Sequence, residues 1–203
     1  AKSQQCLRQI ALNPLETGSD QFYRHSQRRH VLSIMIPAWV DGTLTPVEKL
    51  HAHTAGLRHK AVSVFVICED AILLQQRALT KYHTPGLWAN TCCTHPQWDE
   101  PAVDCATRRL REELGMTGLN LLPRGTIEYR ADVGGGMIEH EVVDLFVAHT
   151  TRDVAMDLNP EEVADTAWAD IADLKTQVAG DPDHYTPWSQ IYLSEHENRT
   201  FDT

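Results

Sequence analysis

A cysteine and a histidine lie two positions apart, shortly before a run of arginines and glutamates. Residues 90–96 read NTCCTHP and contain Cys93 and His95, and residues 108–115 read RRLREELG. Carboxylates grouped in this way are hard oxygen ligands that suit Mg²⁺, an ion that commonly bridges to substrate phosphates. Simple hydrolysis does not require a thiol beside such a site. The spacing therefore indicates a metal-dependent site for a phosphorylated substrate, with chemistry other than plain hydrolysis.

The carboxylates also have a simpler explanation. Arg108 and Glu112 are four residues apart, so on a helix they face the same side. Glu100 precedes this predicted helix, where the N-terminal dipole stabilises a carboxylate. Taken alone, these charges fit an ordinary solvated helix face with salt bridges better than they fit a metal site.

The elements that must position these residues mix strands and helices without a regular βαβ repeat. Apolar residues recurring at three and four positions predict a helix over 101–114, with Pro101 in its first turn and Gly115 at its end. Two apolar runs, 61–68 and 71–74, predict a hairpin. The remaining pattern predicts strands over 119–129, 141–150 and 166–169, a loop over 81–90, and helices over 171–178 and 187–196. The fold class is therefore α/β with a mixed sheet.

The length, charge and hydrophobic pattern of the chain predict one globular domain that binds neither nucleic acid nor membrane. The chain has 203 residues and a formal net charge of -10, whereas non-specific nucleic-acid binding relies on a basic face. Membrane-spanning helices need about 18 or more apolar residues in succession, and the sequence has no such run. Five cysteines without CxxC spacing fit a reducing cytoplasm better than a disulfide scaffold. Oligomeric state has no signature in the sequence.

The first 34 residues differ from the rest of the chain. They contain five basic residues against two acidic ones and have no clear hydrophobic period. This composition predicts a flexible N-terminal arm over 1–34 and a folded domain over 35–203. An equally weighted alternative is that the segment is not native and that Met35 is the natural start.

The order of the charged residues resembles the Nudix box. Glu100, Arg108, Leu110, Glu112, Glu113, Gly115 and Met116 match it position for position. Two positions depart, since Thr94 replaces the glycine of the box and Arg109 replaces one of three clustered glutamates. A guanidinium in place of a carboxylate is expected to weaken hydrolysis and to strengthen diphosphate binding.

With its flanking motifs, the chain resembles the type I isopentenyl-diphosphate isomerases from about Met35 to Tyr192. The motifs are Glu48-Lys49-x-x-x-His53, Gln76-Arg77-Ala78, Pro85-Gly86-x-Trp88-x-Asn90, Cys93-x-His95-Pro96, Arg108-Arg109, Tyr129-Arg130, Glu139-x-Glu141 and Pro187-Trp188. The resemblance implies a Nudix-like α/β/α sandwich. It also implies conversion of isopentenyl diphosphate to dimethylallyl diphosphate. A Nudix pyrophosphohydrolase and a non-catalytic prenyl-diphosphate binder are the alternatives.

Moving a double bond in an unactivated alkene requires an acid and a base on opposite faces of a tertiary carbocation, in a pocket without water. Cys93 and Glu141 are the candidates, and Cys92 points the other way if the segment is extended. The resemblance implies that Trp188 stabilises the cation through its aromatic face and that the Tyr129 hydroxyl lies near Glu141. On residue type alone, Cys93 would also fit core packing as a small hydrophobe, and core packing would be the preferred interpretation of Trp188.

The resemblance also implies two metal sites. The first would use His53, His59, His95, Glu139 and Glu141, a mixed set that suits Mn²⁺, Zn²⁺ or Mg²⁺ better than Ca²⁺. His59 is one residue closer to His53 than the family spacing, and the other histidines, His83 and His140 among them, are assigned no role in the site. The second site would hold Mg²⁺ between Glu113, the Cys93 carbonyl and the substrate diphosphate. Four cations would bind that diphosphate: Lys49, Arg77, Lys81 and Arg109.

Overall fold

The computed structural model describes residues 34–201, which form nine strands and five α-helices. The strands are β1 (Met35–Val40), β2 (Thr43–Glu48), β3 (Arg58–Cys68), β4 (Ala71–Arg77), β5 (Trp88–Ala89), β6 (Cys92–Thr94), β7 (Leu122–Asp132), β8 (Ile138–His149) and β9 (Val163–Asp170). The helices are α1 (Lys49–Thr54), α2 (Ala102–Leu114), α3 (Ile171–Gly180), α4 (Pro187–Glu195) and α5 (Glu197–Thr200). The predicted arm lies outside the described residues except for Ile34.

Strand β3 organises the sheet. It pairs in parallel with β8 over ten residues, from Arg58↔His140 to Ile67↔His149. It also pairs antiparallel with β1, β6 and β4. Its run of valine, isoleucine and phenylalanine is buried on both faces, as expected for a strand inside a mixed sheet with covered faces.

Helices cover both faces of this sheet. On one face, α2 packs Leu110 and Leu114 against Val62, Val64 and neighbouring apolar residues. On the other face, α3 and α4 supply further apolar side chains, including Trp188 and Tyr192, to a second cluster. The predicted α/β/α sandwich is therefore confirmed.

The strongest local signals gave the right elements. The 61–68 and 71–74 hairpin forms around Glu69, whose φ of 53° is the left-handed conformation of a tight turn. Helix α2 starts one residue after Pro101 and ends before Gly115, at φ 67°. Strand β9 extends over eight residues, where the sequence predicts four. None of the helices in the described part of the chain has the length and apolar character to cross a membrane.

The elements without a sequence prediction lie mainly between residues 35 and 54. Strands β1 and β2 form a hairpin around Asp41-Gly42, where both residues have positive φ. Asp-Gly is a known signal for such a turn. Helix α1 is only six residues long and depends on a cap, because the Glu48 carboxylate accepts hydrogen bonds from the backbone N–H groups of Leu50 and His51.

Gly115 should be intolerant of a side chain. A Cβ there would lie 2.6 Å from the backbone nitrogen of Asp157, in a left-handed conformation that already disfavours other residues. We expect Gly115→Ala to lower the free energy of unfolding, measured in urea, by about 2–4 kcal/mol. Gly118→Ala is the matched control, since Gly118 has φ +74° but nothing within 4 Å of a Cβ. Equal losses in the two variants would show that the contact with Asp157 costs nothing.

Candidate active site

Strand register brings most of the predicted site residues to one face of the sheet. Glu141 of β8 lies opposite His59 of β3 and Tyr129 of β7. Cys93 of β6 lies opposite Ser63 of β3, four residues along from His59. Side chains of directly paired residues project to the same face, and every second residue of a strand shares that face. The site is therefore a consequence of register, formed by four different strands.

Three of the predicted histidines surround one carboxylate. The Nε2 atoms of His53, His59 and His95 lie 3.1, 3.2 and 3.7 Å from Oε2 of Glu139. One ligand atom from each of these four residues falls within 4.8 Å of the others, and all four residues are buried. Although His59 departs from the family spacing, it belongs to the group.

The tautomers set by the backbone fit this group to a metal ion. Nδ1 of His53 lies 2.6 Å from the carbonyl of Lys49, and Nδ1 of His59 lies 2.7 Å from the carbonyl of Leu57. A carbonyl only accepts, so each Nδ1 carries the proton and a neutral ring directs its Nε2 lone pair toward Glu139. Nε2 of His53 and both ring nitrogens of His95 have no hydrogen-bond partner among the described residues. Lone pairs converging on a carboxylate suit a bound cation, so these four residues could hold a divalent metal ion.

Glu141 lies beside this group in a different electrostatic setting. Its Oε1 is 2.9 Å from Nε2 of His95, and its Oε2 accepts a short hydrogen bond from the Tyr129 hydroxyl. Burial, followed by the charge of Glu139, raises the pKa of Glu141 to about 8. Burial acts on the pKa of Glu139 in the same direction, but the close contacts with the surrounding imidazoles outweigh it and hold that pKa well below its usual range.

His83 belongs to the site, although the sequence analysis assigned it no role there. It is only 6% exposed, and its Nε2 lies 3.2 Å from Oε1 of Glu139. Burial lowers its pKa to about 4, so the ring is neutral at neutral pH. No motif or periodicity singles it out, because it lies in a loop.

The two adjacent cysteines face opposite sides of the sheet, as predicted. Cys92 is buried in the cluster under α2. Cys93 lines the pocket, and its sulfur accepts a hydrogen bond from the Ser63 hydroxyl at 3.2 Å. Ser63 in turn is 2.7 Å from the hydroxyl of Tyr192, and the sequence singled out neither residue. Burial and the charge of Glu141 raise the pKa of the Cys93 thiol well above its usual range, which keeps the sulfur protonated at neutral pH.

Trp188 comes from the first turn of α4 and is 2% exposed. Its ring lies 5.2 Å from the guanidinium of Arg77 and meets the ring of His83 edge-on at 5.9 Å. It lines the same pocket as Cys93 and Glu141, together with the four predicted cations. His53, His59 and Tyr129 are not among the lining residues.

The Nudix-box carboxylates divide into two groups. Glu100 and Glu112 both bind Arg108, at 2.6 and 2.9 Å, which is the salt-bridged helix face considered as the alternative. Glu113 is buried, faces the pocket and lies 2.7 Å from Arg109. Only Glu113 of these three is thus placed to bind a metal in the pocket.

Comparisons with known proteins identify the family of the chain. The NUDIX domain matches residues 57–189. The chain is 62% identical to the isopentenyl-diphosphate Delta-isomerase of Dinoroseobacter shibae, over 83% of this chain and 96% of that protein. It is also 62% identical to the Roseobacter denitrificans protein of the same name, over 84% and 97%. The chain belongs to the isopentenyl-diphosphate Delta-isomerase family.

Solved structures support the fold over a wider group. A MutT NUDIX hydrolase from Burkholderia pseudomallei aligns with a TM-score of 0.53 at 21% identity, covering 68% of this chain and 97% of that one. A NUDIX hydrolase from Nitrosomonas europaea gives a TM-score of 0.51 at 16% identity, covering 70% and 90%. At these identities the likeness concerns the fold alone.

In this member of the isomerase family, an additional carboxylate lies among the predicted diphosphate-binding cations. Glu162, which sequence reasoning missed, binds Lys81 through a short ion pair and lies 3.0 Å from Arg109. Burial opposes ionisation of Glu162, but the charges and hydrogen bonds of Lys81 and Arg109 outweigh it and lower the pKa to about 2.

Glu162 should therefore stabilise the fold in a pH-dependent way. Its pKa is lowered on folding, so its contribution is complete above the ordinary value near 4.5 and disappears as the pH falls toward 2. Because the side chain is partly exposed, we expect Glu162→Gln to cost no more than about 1 kcal/mol of unfolding free energy at pH 7. Urea unfolding at several pH values measures the difference from wild type, with the exposed neighbour Glu161→Gln as control. A difference that stayed constant down to pH 3 would contradict this assignment.

Proposed function

We propose that this chain isomerises isopentenyl diphosphate to dimethylallyl diphosphate. The observation that carries the proposal is the presence of a protonated thiol, Cys93, and a buried carboxylate, Glu141, in one pocket that also contains Trp188 and four cationic side chains. The names of the close relatives support the same reaction.

The reaction adds a proton to the terminal alkene carbon and removes one from the carbon on the other side of the cationic centre. Cys93 serves one face and Glu141 the other, with the Tyr129 hydroxyl hydrogen-bonded to the carboxylate. The two groups exchange roles between the forward and reverse directions. In each turnover one group gives a proton to the substrate and the other takes one from it, and proton exchange restores both groups before the next turnover. Groups positioned for such transfers typically contribute rate factors of about 10²–10⁴.

The carbocation between the two proton transfers needs a stabilising surface and protection from water. Trp188 provides an aromatic face, which attracts a cation through its quadrupole. Burial of Trp188 and Tyr129 keeps the reacting carbons away from bulk water.

Divalent ions complete the site. His53, His59, His95, Glu139 and Glu141 would hold Mn²⁺, Zn²⁺ or Mg²⁺, and the mixed nitrogen and oxygen donors favour a transition metal over Ca²⁺. An ion held there would favour the ionised form of Glu141 and so tune its acidity. Glu113 and the Cys93 carbonyl would hold Mg²⁺ against the substrate diphosphate, while Lys49, Arg77, Lys81 and Arg109 bind the phosphate oxygens.

The remaining assignments follow from this reaction. The substrate is a small prenyl diphosphate, and the catalytic domain comprises residues 35–203. The four cysteines in the described part of the chain are free thiols, which fits a reducing cytoplasm.

The role of the Cys93 thiol can be tested by comparing substitutions at Cys93 and at the adjacent Cys92. Proton NMR of isopentenyl diphosphate with Mg²⁺ and Mn²⁺ should show dimethylallyl signals growing with the wild-type chain. We expect Cys93→Ala to slow this by at least about 100-fold, because a positioned proton donor or acceptor is lost. Cys92→Ala should retain most of the turnover, since Cys92 faces α2 and not the pocket.

Each other outcome identifies a different mistake. If the wild-type chain left isopentenyl diphosphate unchanged in buffer that contains both metals, the isomerase proposal would be wrong. Release of phosphate from nucleoside diphosphate derivatives would then indicate a hydrolase, and tight prenyl-diphosphate binding without exchange in deuterated water would indicate a binder. Full activity in Cys93→Ala would leave the reaction in place and remove the thiol from it.

A further inference from the structure

A fourth imidazole contacts the metal-site carboxylate from the side away from the other three. His83 Nε2 lies 3.2 Å from Oε1 of Glu139, whereas His53, His59 and His95 all approach Oε2. Burial of His83 excludes a chance surface contact. The four residues whose ligand atoms lie close enough to share a metal ion do not include His83. Its position therefore suits a residue that contacts Glu139 and not the ion.

The opposite ring nitrogen distinguishes His83 from the metal-facing histidines. In His53 and His59, Nδ1 faces a backbone carbonyl, which forces the proton onto Nδ1 and leaves the Nε2 lone pair for a metal. In His83, Nδ1 lies 3.1 Å from the Thr84 hydroxyl, which can donate a proton. A neutral His83 can therefore keep its proton on Nε2 and donate it to Glu139.

The loop that carries His83 is held in a costly conformation. Thr84 has φ 45°, which is an outlier for a β-branched residue. The Arg77 guanidinium donates to the carbonyls of His83 and Thr84, each at 3.2 Å. Backbone strain of this kind persists only where the surroundings over-determine it. The hydrogen bonds from Arg77 and the strained backbone of Thr84 together fix the position of His83.

We propose that His83 is a positioning residue of the metal centre: its Nε2–H holds Oε1 of Glu139, so that Oε2 is presented to the ion together with the three metal-facing histidines. The inference rests on the metal site of the proposed function, but it concerns metal binding without substrate. Partners of this kind orient a ligand, and an N–H donated to a carboxylate favours its ionised, metal-binding form. Arg77 donates hydrogen bonds to the same loop. A diphosphate bound to Arg77 would therefore affect His83, which contacts the metal ligand Glu139.

Metal affinity tests this role. We expect His83→Leu, which removes the donor at similar volume, to weaken the binding of Mn²⁺ and Zn²⁺ by about ten-fold in titration calorimetry, with unchanged stoichiometry. His83→Gln restores an N–H donor and should stay within about three-fold of wild type. The exposed His51→Leu is the matched control and should leave the affinity unchanged.

Two results would overturn the proposal. Unchanged affinity in His83→Leu would show that the contact does not position Glu139. Loss of one equivalent of bound metal in both variants would make His83 a ligand. If His83→Leu failed to fold by circular dichroism, nitrogen-15 NMR of the wild-type ring would decide, since the proposal requires a protonated Nε2 in His83 with and without metal. A failure of isomerisation would leave these measurements unaffected.

Discussion

Two carboxylates buried side by side, Glu139 and Glu141, determine how the rest of the site is built. Each is at most 2% exposed, and a buried charge is costly unless it is paired and hydrogen-bonded. Glu139 is compensated by imidazoles on both of its oxygens, and Glu141 by the Tyr129 hydroxyl and His95. These surroundings move the pKa values of the two carboxylates in opposite directions, and such a divergence is what separates a charge-bearing group from a proton-transferring one.

Compensation of this kind demands a fixed strand register. A slip of one residue between β3 and β8 would send Glu139 and Glu141 to the face covered by α2, where the neighbours are valine and leucine. The long parallel pairing and the continuous apolar run of β3 prevent such a slip. The same alternation separates Cys92 from Cys93, so one dipeptide supplies both a core residue and a thiol that lines the pocket. Stability and chemistry therefore depend on the same periodicity.

The sequence predicted those parts of the site whose position follows from local spacing or motif. The Glu139-x-Glu141 pair, the Cys92–Cys93 alternation and helix α2 depend on neighbours within a few residues, and all were placed correctly. His83, Ser63, Tyr192 and Glu162 were missed because each becomes a site residue only through tertiary contacts. Ser63 meets Tyr192 across 129 positions of sequence, and Lys81 meets Glu162 across 81. Helix α1 was missed for a related reason, since six residues stabilised by one cap carry no hydrophobic period.

The change from glutamate to Arg109 in the Nudix box has a larger electrostatic effect than a single substitution suggests. A third clustered carboxylate beside Glu112 and Glu113 would attract further metal ions to an attacked phosphate. Arg109 instead neutralises part of the existing charge, at 3.0 Å from Glu112 and 2.7 Å from Glu113. Glu162 forms further ion pairs with Arg109 and Lys81. The protein's own side chains thus form a network of alternating charges around the predicted diphosphate site. A planar guanidinium within it can grip phosphate oxygens in a defined orientation, and this favours holding the diphosphate still while chemistry takes place on the carbon chain.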